Sequence, residues 1–213
     1  MLHKVLEIRN ISPSTYAIRL EKKSISFKAG QCFNLGVKNS GINREYSIYS
    51  GEKEPFLEFL IKEVKGGAVS PLLRKTQEGE EVELHGPYGS FIIDPDQITK
   101  SPFLFIGTGT GIAPFHSFIQ SYPKLEYKVI VGVRNIKEQY DLLDYDSSRL
   151  TWCVSREPRN GFNGRVTDYL KGIELDPKNI CYICGNQKMI YDVYELLREN
   201  RISADKIFTE AFF

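Results

Sequence analysis

The stretch GTGTGIAPF at 107–115 sets glycines at 107, 109 and 111 between the apolar run FLFIG and the helix-like IAPFHSFIQSY. Glycines in such a turn let the backbone approach another group closely, and the N–H groups that open a helix attract anions. Thr108, Gly109, Thr110, Gly111 and Pro114 are therefore candidates for a pyrophosphate cradle, and a merely tight strand–helix turn is the other reading. The common G-x-G-x-x-G spacing fails, because Ile112 and Pro114 stand where its last glycine could fall. Positive charge then marks the ends of later apolar runs. KVIVGVR ends in Arg134, LTWCVSR ends in Ser155 and Arg156, and Arg165 follows a glycine-containing loop. Strands of an open parallel sheet deliver their C-terminal ends to a shared crevice, where a carboxylate commonly holds the ribose hydroxyls of NAD. Guanidinium groups in that place suit a 2′-phosphate, hence NADP. Taken singly, each arginine also reads as a solvated surface charge.

A second constellation, REYSIYS at 44–50, brings Arg44, Tyr46 and Ser47 together. An arginine fork matches two phosphate oxygens, an aromatic face matches a flat ring, and a hydroxyl can exchange a hydrogen bond with a ring nitrogen. Alone, the stretch fits an ordinary strand with one inward tyrosine. The chain has four cysteines, and Cys181 and Cys184 form a CxxC pair that could mean zinc or thiol redox chemistry. The pair lies in the apolar run NICYICG, with no second CxxC and no histidine cluster to complete four ligands, so it reads as a buried strand without metal.

These residues must be positioned by two regions of different pattern. Residues 1–98 read as six short strands, KVLEI, YAIRL, CFNLGV, EYSIYS, FLEFLIK and EVELHG, separated by turn signals. That pattern predicts a six-stranded antiparallel β-barrel, with VSPLLRKT at 69–76 as a single helical turn or short helix. Residues 99–213 alternate strands with helical stretches around 138–145, 165–171 and 187–200, which predicts a doubly wound parallel α/β domain. The boundary falls near DPDQITK. With 41% hydrophobic residues, 26% charged residues and a net charge of +1, the composition is that of a globular protein without a field favouring nucleic acid. No apolar run approaches the length of a membrane span, and the alternating N-terminus does not read as a secretion signal, so a cytoplasmic location is expected.

Taken in order, R-x-Y-S at 44–47, GGAVS at 66–70, GPYGSF at 86–91, GTGTGIAPF, SRE at 155–157, CGNQKM at 184–189 and the tail FTEAFF resemble the ferredoxin–NADP reductase family over nearly the whole chain. The resemblance implies an FAD-binding barrel at 1–98 and an NADP-binding domain at 99–213. It implies Arg44 at the flavin pyrophosphate, Tyr46 against the isoalloxazine and Ser47 near flavin N5, with further phosphate contacts from Gly67, Val69 and Ser70. It places Cys184 beside the nicotinamide, Glu210 in proton relay near the flavin, and Phe212 or Phe213 over the flavin face opposite Tyr46. The implied activity is hydride transfer between NADP(H) and FAD and single-electron exchange with a separate carrier, ferredoxin or flavodoxin. Two readings share the scaffold: an NADH-dependent reductase component of an oxygenase or similar system, and a non-catalytic FAD-binding electron-transfer subunit.

Overall fold

The structure, a computed structural model, describes residues 1–158 and 161–212; Phe213, expected at the flavin, lies outside the described residues. The chain forms two compact units, Met1–Ile92 with His116–Ser121, and Ile93–Phe115 with Tyr122–Phe213.

The first unit holds strands β1 (Leu2–Ser12), β2 (Thr15–Glu21), β3 (Cys32–Val37), β4 (Asn43–Ser47), β5 (Phe56–Lys62) and β6 (Glu81–Tyr88), with the short helix α1 (Ser70–Leu73) before β6. They form one antiparallel sheet in the order β4-β3-β6-β1-β2-β5. The chain leaving β4 meets β5 through a 2.8 Å bond from the Tyr49 N–H to the Glu58 carbonyl, which closes the sheet on itself. Closure satisfies an edge that would otherwise present unpaired backbone groups. Alternating residues point inward, so Val5, Ile18, Leu20, Phe33, Leu35, Phe59, Ile61, Val82 and Leu84 fill one core. Phe33 anchors it, edge-on to Phe59 at 5.7 Å and to Phe27 at 6.2 Å. All six expected strands form; the fourth runs Asn43–Ser47, earlier than EYSIYS suggests, because the chain from Ile48 onward turns to bond Gln31 and Glu58.

The second unit holds β7 (Phe103–Thr108), α2 (Ala113–Ser121, of which residues 113–115 belong to this unit), β8 (Tyr127–Val133), β9 (Leu150–Val154), α3 (Val166–Lys171), β10 (Ile180–Asn186), α4 (Gln187–Glu199) and β11 (Ile207–Phe212). All five strands are parallel, in the order β11-β10-β7-β8-β9. Helices α3 and α4 cover one face through Val166, Leu170, Val193 and Leu197 against Leu104, Ile106, Cys181 and Ile183. The opposite face is aromatic: Phe105 stacks on Phe115 at 5.0 Å, and Tyr182 stacks on Phe208 at 4.7 Å. The sheet is thus doubly wound. The helix expected around 138–145 does not form: 3₁₀ turns occupy Ile136–Glu138 and Leu142–Asp144. Glu138 turns its carboxylate back onto backbone N–H groups, and Asp141 adopts φ +42°, a left-handed conformation that an α-helix cannot contain. Tyr140 is buried edge-on to Trp152, while Leu143 stands 99% exposed, so the apolar residues of this segment do not share one helical face.

His3 in β1 is 1% exposed, with Nδ1 2.7 Å from the Glu21 carbonyl oxygen. Burial is the main cause holding its pKa below the usual 6.5; the Glu21 carbonyl opposes this, and Lys23 and the N-terminus add to it. The folded imidazole therefore takes up its proton less readily than the unfolded one. Its contribution to stability is full above the unfolded value and is lost as pH falls through the lowered one. His3→Gln should shrink the drop in urea midpoint between about pH 7.5 and about pH 5.5 relative to wild type. An equal drop in both proteins would rule out His3 as its source.

Candidate functional site

In the second unit, strand order reverses between β7 and β10, the place where open parallel sheets bind ligands beyond their C-terminal strand ends. The turn Gly109–Ile112 leaves β7 and leads into α2, whose first turn carries Pro114, a position where the missing N–H costs nothing. Two glycines fix how closely this turn meets β10. A Cβ on Gly111 would overlap the Cys184 carbonyl, and a Cβ on Gly185, at φ +136°, would overlap the Thr108 hydroxyl and lie 3.1 Å from its nitrogen. Gly109, at φ +55°, faces open space. The Asn186 N–H donates to Thr108 Oγ1 at 3.2 Å, and Asn186 Oδ1 caps α4 by accepting from the N–H groups of Lys188 and Met189 at 3.1 and 3.3 Å. Thr108, Gly109, Thr110 and Gly111 thus form a cradle against the end of β10.

Parallel register puts Gly107, Cys184 and Glu210 in one row across β7, β10 and β11, with Asn186 and Phe212 paired beyond. The Cys184 thiol is 3.9 Å from Glu210 Oε2. Burial, reinforced by that carboxylate, pushes the Cys184 pKa well above the ordinary thiol value, so it stays protonated at neutral pH. Cys181, three residues earlier, falls on the other face of β10 among α3 and α4. Strand alternation therefore separates the two sulfurs of the CxxC pair to opposite sides of the sheet.

The arginine-bearing strand ends come together as the sequence suggests. The Ser155 N–H donates to Val133 O and the Arg156 N–H to Arg134 O, both at 3.0 Å, which sets Arg134 and Arg156 side by side. Asn163, two residues before Arg165, bridges Val154, two residues before Arg156. All three arginines are exposed, and among the described residues none is ion-paired to a carboxylate. Ser155 is exposed too, its hydroxyl donating to Val133 O at 3.2 Å.

In the first unit, β4 is the strand that ends the sheet order. Arg44 and Tyr46 lie on one face of it, opposite Leu35 and Phe33, and Ser47 on the other, opposite Cys32. Arg44 is exposed, its guanidinium donating to the Asn43 carbonyl at 2.8 Å. Tyr46 is half-buried against the barrel core; burial raises its phenol to about 12, the Arg44 charge pulling the other way. Ser47 is buried. Ser70 begins α1, with Pro71 in its first turn; the Ser70 hydroxyl accepts the Val64 N–H at 3.0 Å and its carbonyl accepts the Tyr16 hydroxyl at 2.7 Å. Val69 sends its side chain into the barrel core, so only its backbone can reach a ligand; Gly67 closes the preceding turn on the Val64 carbonyl at 2.8 Å. Burial, with a smaller contribution from the Tyr46 phenol, raises the Tyr16 phenol above its ordinary value.

Two family profiles match these halves: an oxidoreductase FAD-binding domain over residues 3–93 and an oxidoreductase NAD-binding domain over 105–195. The chain belongs to the ferredoxin–NADP reductase-like family of flavoprotein oxidoreductases. Ferredoxin–NADP reductase B of Sorangium cellulosum is 28% identical to it over 92% of this chain and 90% of its own length. The toluate 1,2-dioxygenase electron transfer component of Pseudomonas putida is also 28% identical, over 98% of this chain, which spans only 66% of that relative. A ferredoxin NADP⁺ reductase structure from Neisseria gonorrhoeae with bound FAD and NADP superposes with a TM-score of 0.87 at 25% identity, covering 100% of this chain and 98% of that one. The Amycolatopsis cytochrome P450 reductase superposes at 0.89 and 27% identity, over 99% of this chain and 68% of that one. Among the described residues, no helix is long and apolar enough to cross a membrane.

For a ferredoxin–NADP reductase-like barrel, the residue that sequence reasoning passed over is Arg74. Its guanidinium donates to Asn10 Oδ1 at 2.9 Å, Pro13 O at 2.8 Å, Glu63 Oε2 at 2.8 Å and Ser12 O at 3.2 Å, and it lies 5.6 Å from the Tyr16 ring centre. It ties α1 to the β1–β2 turn and so holds the Ser70 turn in place. The one local hint is its position four residues after Ser70, one helical turn on. Arg74→Ala should lower the FAD recovered per mole of purified protein several-fold, with Arg74→Lys between it and wild type, since a point charge keeps the ion pair without the fork. Wild-type FAD content in Arg74→Ala would contradict this role.

Proposed function

We propose that this chain transfers hydride between NADP(H) and FAD and passes single electrons to or from a separate protein carrier of the ferredoxin or flavodoxin class. The observation that carries the reading is the trio Arg134, Arg156 and Arg165 at the strand ends, exposed and unpaired with carboxylate among the described residues, where an NAD-type site would present an acid. The donor set fits both cofactors. The glycine cradle of Thr108–Gly111, whose open side no Cβ fills at Gly109, suits a pyrophosphate at the start of α2, with Pro114 shaping the helix entry. Arg44, with its exposed guanidinium, suits the FAD pyrophosphate together with the backbone at Gly67, Val69 and Ser70; Tyr46 would offer a half-buried ring face to the flavin, and Ser47 would supply the hydroxyl for N5. When bound, FAD supplies the conversion between two-electron and one-electron transfer, and the protein supplies binding and orientation.

The chain's own groups then have distinct tasks. Arg134, Ser155, Arg156 and Arg165 hold the 2′-phosphate and so select the dinucleotide. Cys184 remains a neutral thiol in the Gly107–Cys184–Glu210 row, which leaves Glu210 as the group able to give or take a proton there. Phe212, two residues beyond Glu210 on the same face of β11, would serve as the aromatic cover that a nicotinamide displaces; in this reading Phe213 assists it.

A second reading, an NADH-dependent reductase component for an oxygenase, draws on the equal 28% identity to such relatives as the propane 2-monooxygenase reductase component of Gordonia. Steady-state ferricyanide reduction separates the two. Replacing Arg156 alone by alanine should raise KM for NADPH about 10–100-fold and leave KM for NADH within about 2-fold, given ~1.5–3 kcal/mol for a charged hydrogen bond. Wild-type protein that prefers NADH would instead favour the oxygenase-component reading.

A further inference from the structure

Three consecutive backbone N–H groups, those of Arg134, Asn135 and Ile136, donate to carboxylates rather than to other backbone groups. Glu138 Oε2 accepts from Arg134 at 2.8 Å and from Asn135 at 3.3 Å. Glu157 Oε2, arriving from the chain that leaves β9, accepts from Ile136 at 2.9 Å. Glu138 is 6% exposed. Its bond to Asn135 is half of a reciprocal capping box on the 3₁₀ turn, which alone is an ordinary way to end a strand. The capping box explains neither the added bond to Arg134 nor the second carboxylate on Ile136.

Clustered backbone N–H groups at a strand or helix end are the usual anion receptors of nucleotide sites. Here internal carboxylates take them, so a phosphate arriving at this end is left with side chains to bind. The same bonds fix the backbone on both sides of the neighbouring arginines. Arg134 is the first residue of the clamped segment, Arg156 directly precedes Glu157, and the two are joined by the 3.0 Å bond from the Arg156 N–H to the Arg134 carbonyl. Glu157 therefore ties the chain leaving β9 to the chain leaving β8 just beyond that bond.

We propose that Glu138 and Glu157 form a carboxylate clamp that sets Arg134 and Arg156 at the spacing needed to grip a 2′-phosphate, acting as positioning residues for dinucleotide selection. The inference rests on the reading that this site takes NADP(H). Cofactor preference is on this account a property of two buried or half-buried acids that never touch the ligand, as well as of the arginines that do. Loosening either bond lets the guanidinium groups separate and lose the geometry of a shared phosphate, while the rest of the nucleotide, held elsewhere, is unaffected.

The test is calorimetric titration of the FAD-loaded protein with 2′-phospho-AMP and, separately, with AMP. Wild type should favour 2′-phospho-AMP. Glu157→Ala should cut that preference about tenfold through weaker 2′-phospho-AMP binding, with AMP affinity unchanged. Glu157→Gln should stay within about threefold of wild type, because its amide oxygen still accepts the Ile136 N–H. Glu138→Gln should behave likewise, and Glu138→Ala should lose preference as Glu157→Ala does; the Glu157 pair decides the matter if Glu138→Ala does not fold. An unchanged preference in Glu157→Ala, an equal loss for both nucleotides, or a gain in preference in Glu157→Gln overturns the clamp. Wild type without preference for the 2′-phosphate overturns the NADP(H) reading and the clamp with it, whereas an intact wild-type preference that the variants do not alter removes the clamp alone.

Discussion

Close approach of the turn after β7 to the end of β10 is the constraint on which the nucleotide-binding half depends. Gly111 meets the Cys184 carbonyl and Gly185 meets Thr108 at distances that exclude any side chain, and the Asn186 N–H closes the junction on the Thr108 hydroxyl. Because strand order reverses at this pair of strands, the junction is also where the sheet leaves room for a ligand. The other candidate groups of the unit are placed by register from it. Cys184 and Glu210 follow from the pairing of β10 with β7 and β11, and Arg134 and Arg156 follow from the pairing of β8 and β9 one and two strands away. A side chain inserted at Gly111 or Gly185 would displace the strand ends that set every one of these positions.

The barrel meets the same need by a different route. A parallel sheet presents its strand ends in common, whereas the barrel's candidate groups stand on β4 and on the turn into α1. Arg44 and Tyr46 project from β4, and Tyr46 is braced from beneath by its cross-strand neighbour Phe33 in the core. The Ser70 turn is held by Tyr16 and by the forked contacts of Arg74, so four residues of helix are kept in place by a side chain reaching back to β1. An isolated helix of that length has no stability of its own.

Much of this was legible in the sequence, and the exceptions have physical causes. The six barrel strands and five parallel strands showed in alternation and in apolar runs, since burial imposes those patterns directly. The glycine turn was readable because close approach demands glycine, and the arginines because their place at strand ends carries them to one crevice. The 138–145 segment misled because EQYDLLDY has helical spacing of apolar residues, yet Tyr140 goes inward while Leu143 stays in solvent and Asp141 turns left-handed. Composition cannot reveal that Glu138 prefers the backbone N–H groups of Arg134 and Asn135 to continuing a helix. Arg74 was invisible for another reason. Three of its four hydrogen-bond partners lie 61 to 64 residues earlier, beyond the reach of any local pattern.

The proposed reaction is reduction of bound FAD by NADPH in preference to NADH. The most direct measurement is anaerobic stopped-flow mixing of the FAD-loaded protein with each nucleotide, following loss of the oxidised flavin absorbance. The account predicts rapid bleaching by NADPH at low concentration and much weaker bleaching by NADH under the same conditions. Bleaching by NADH as fast as by NADPH, or by neither, would contradict it.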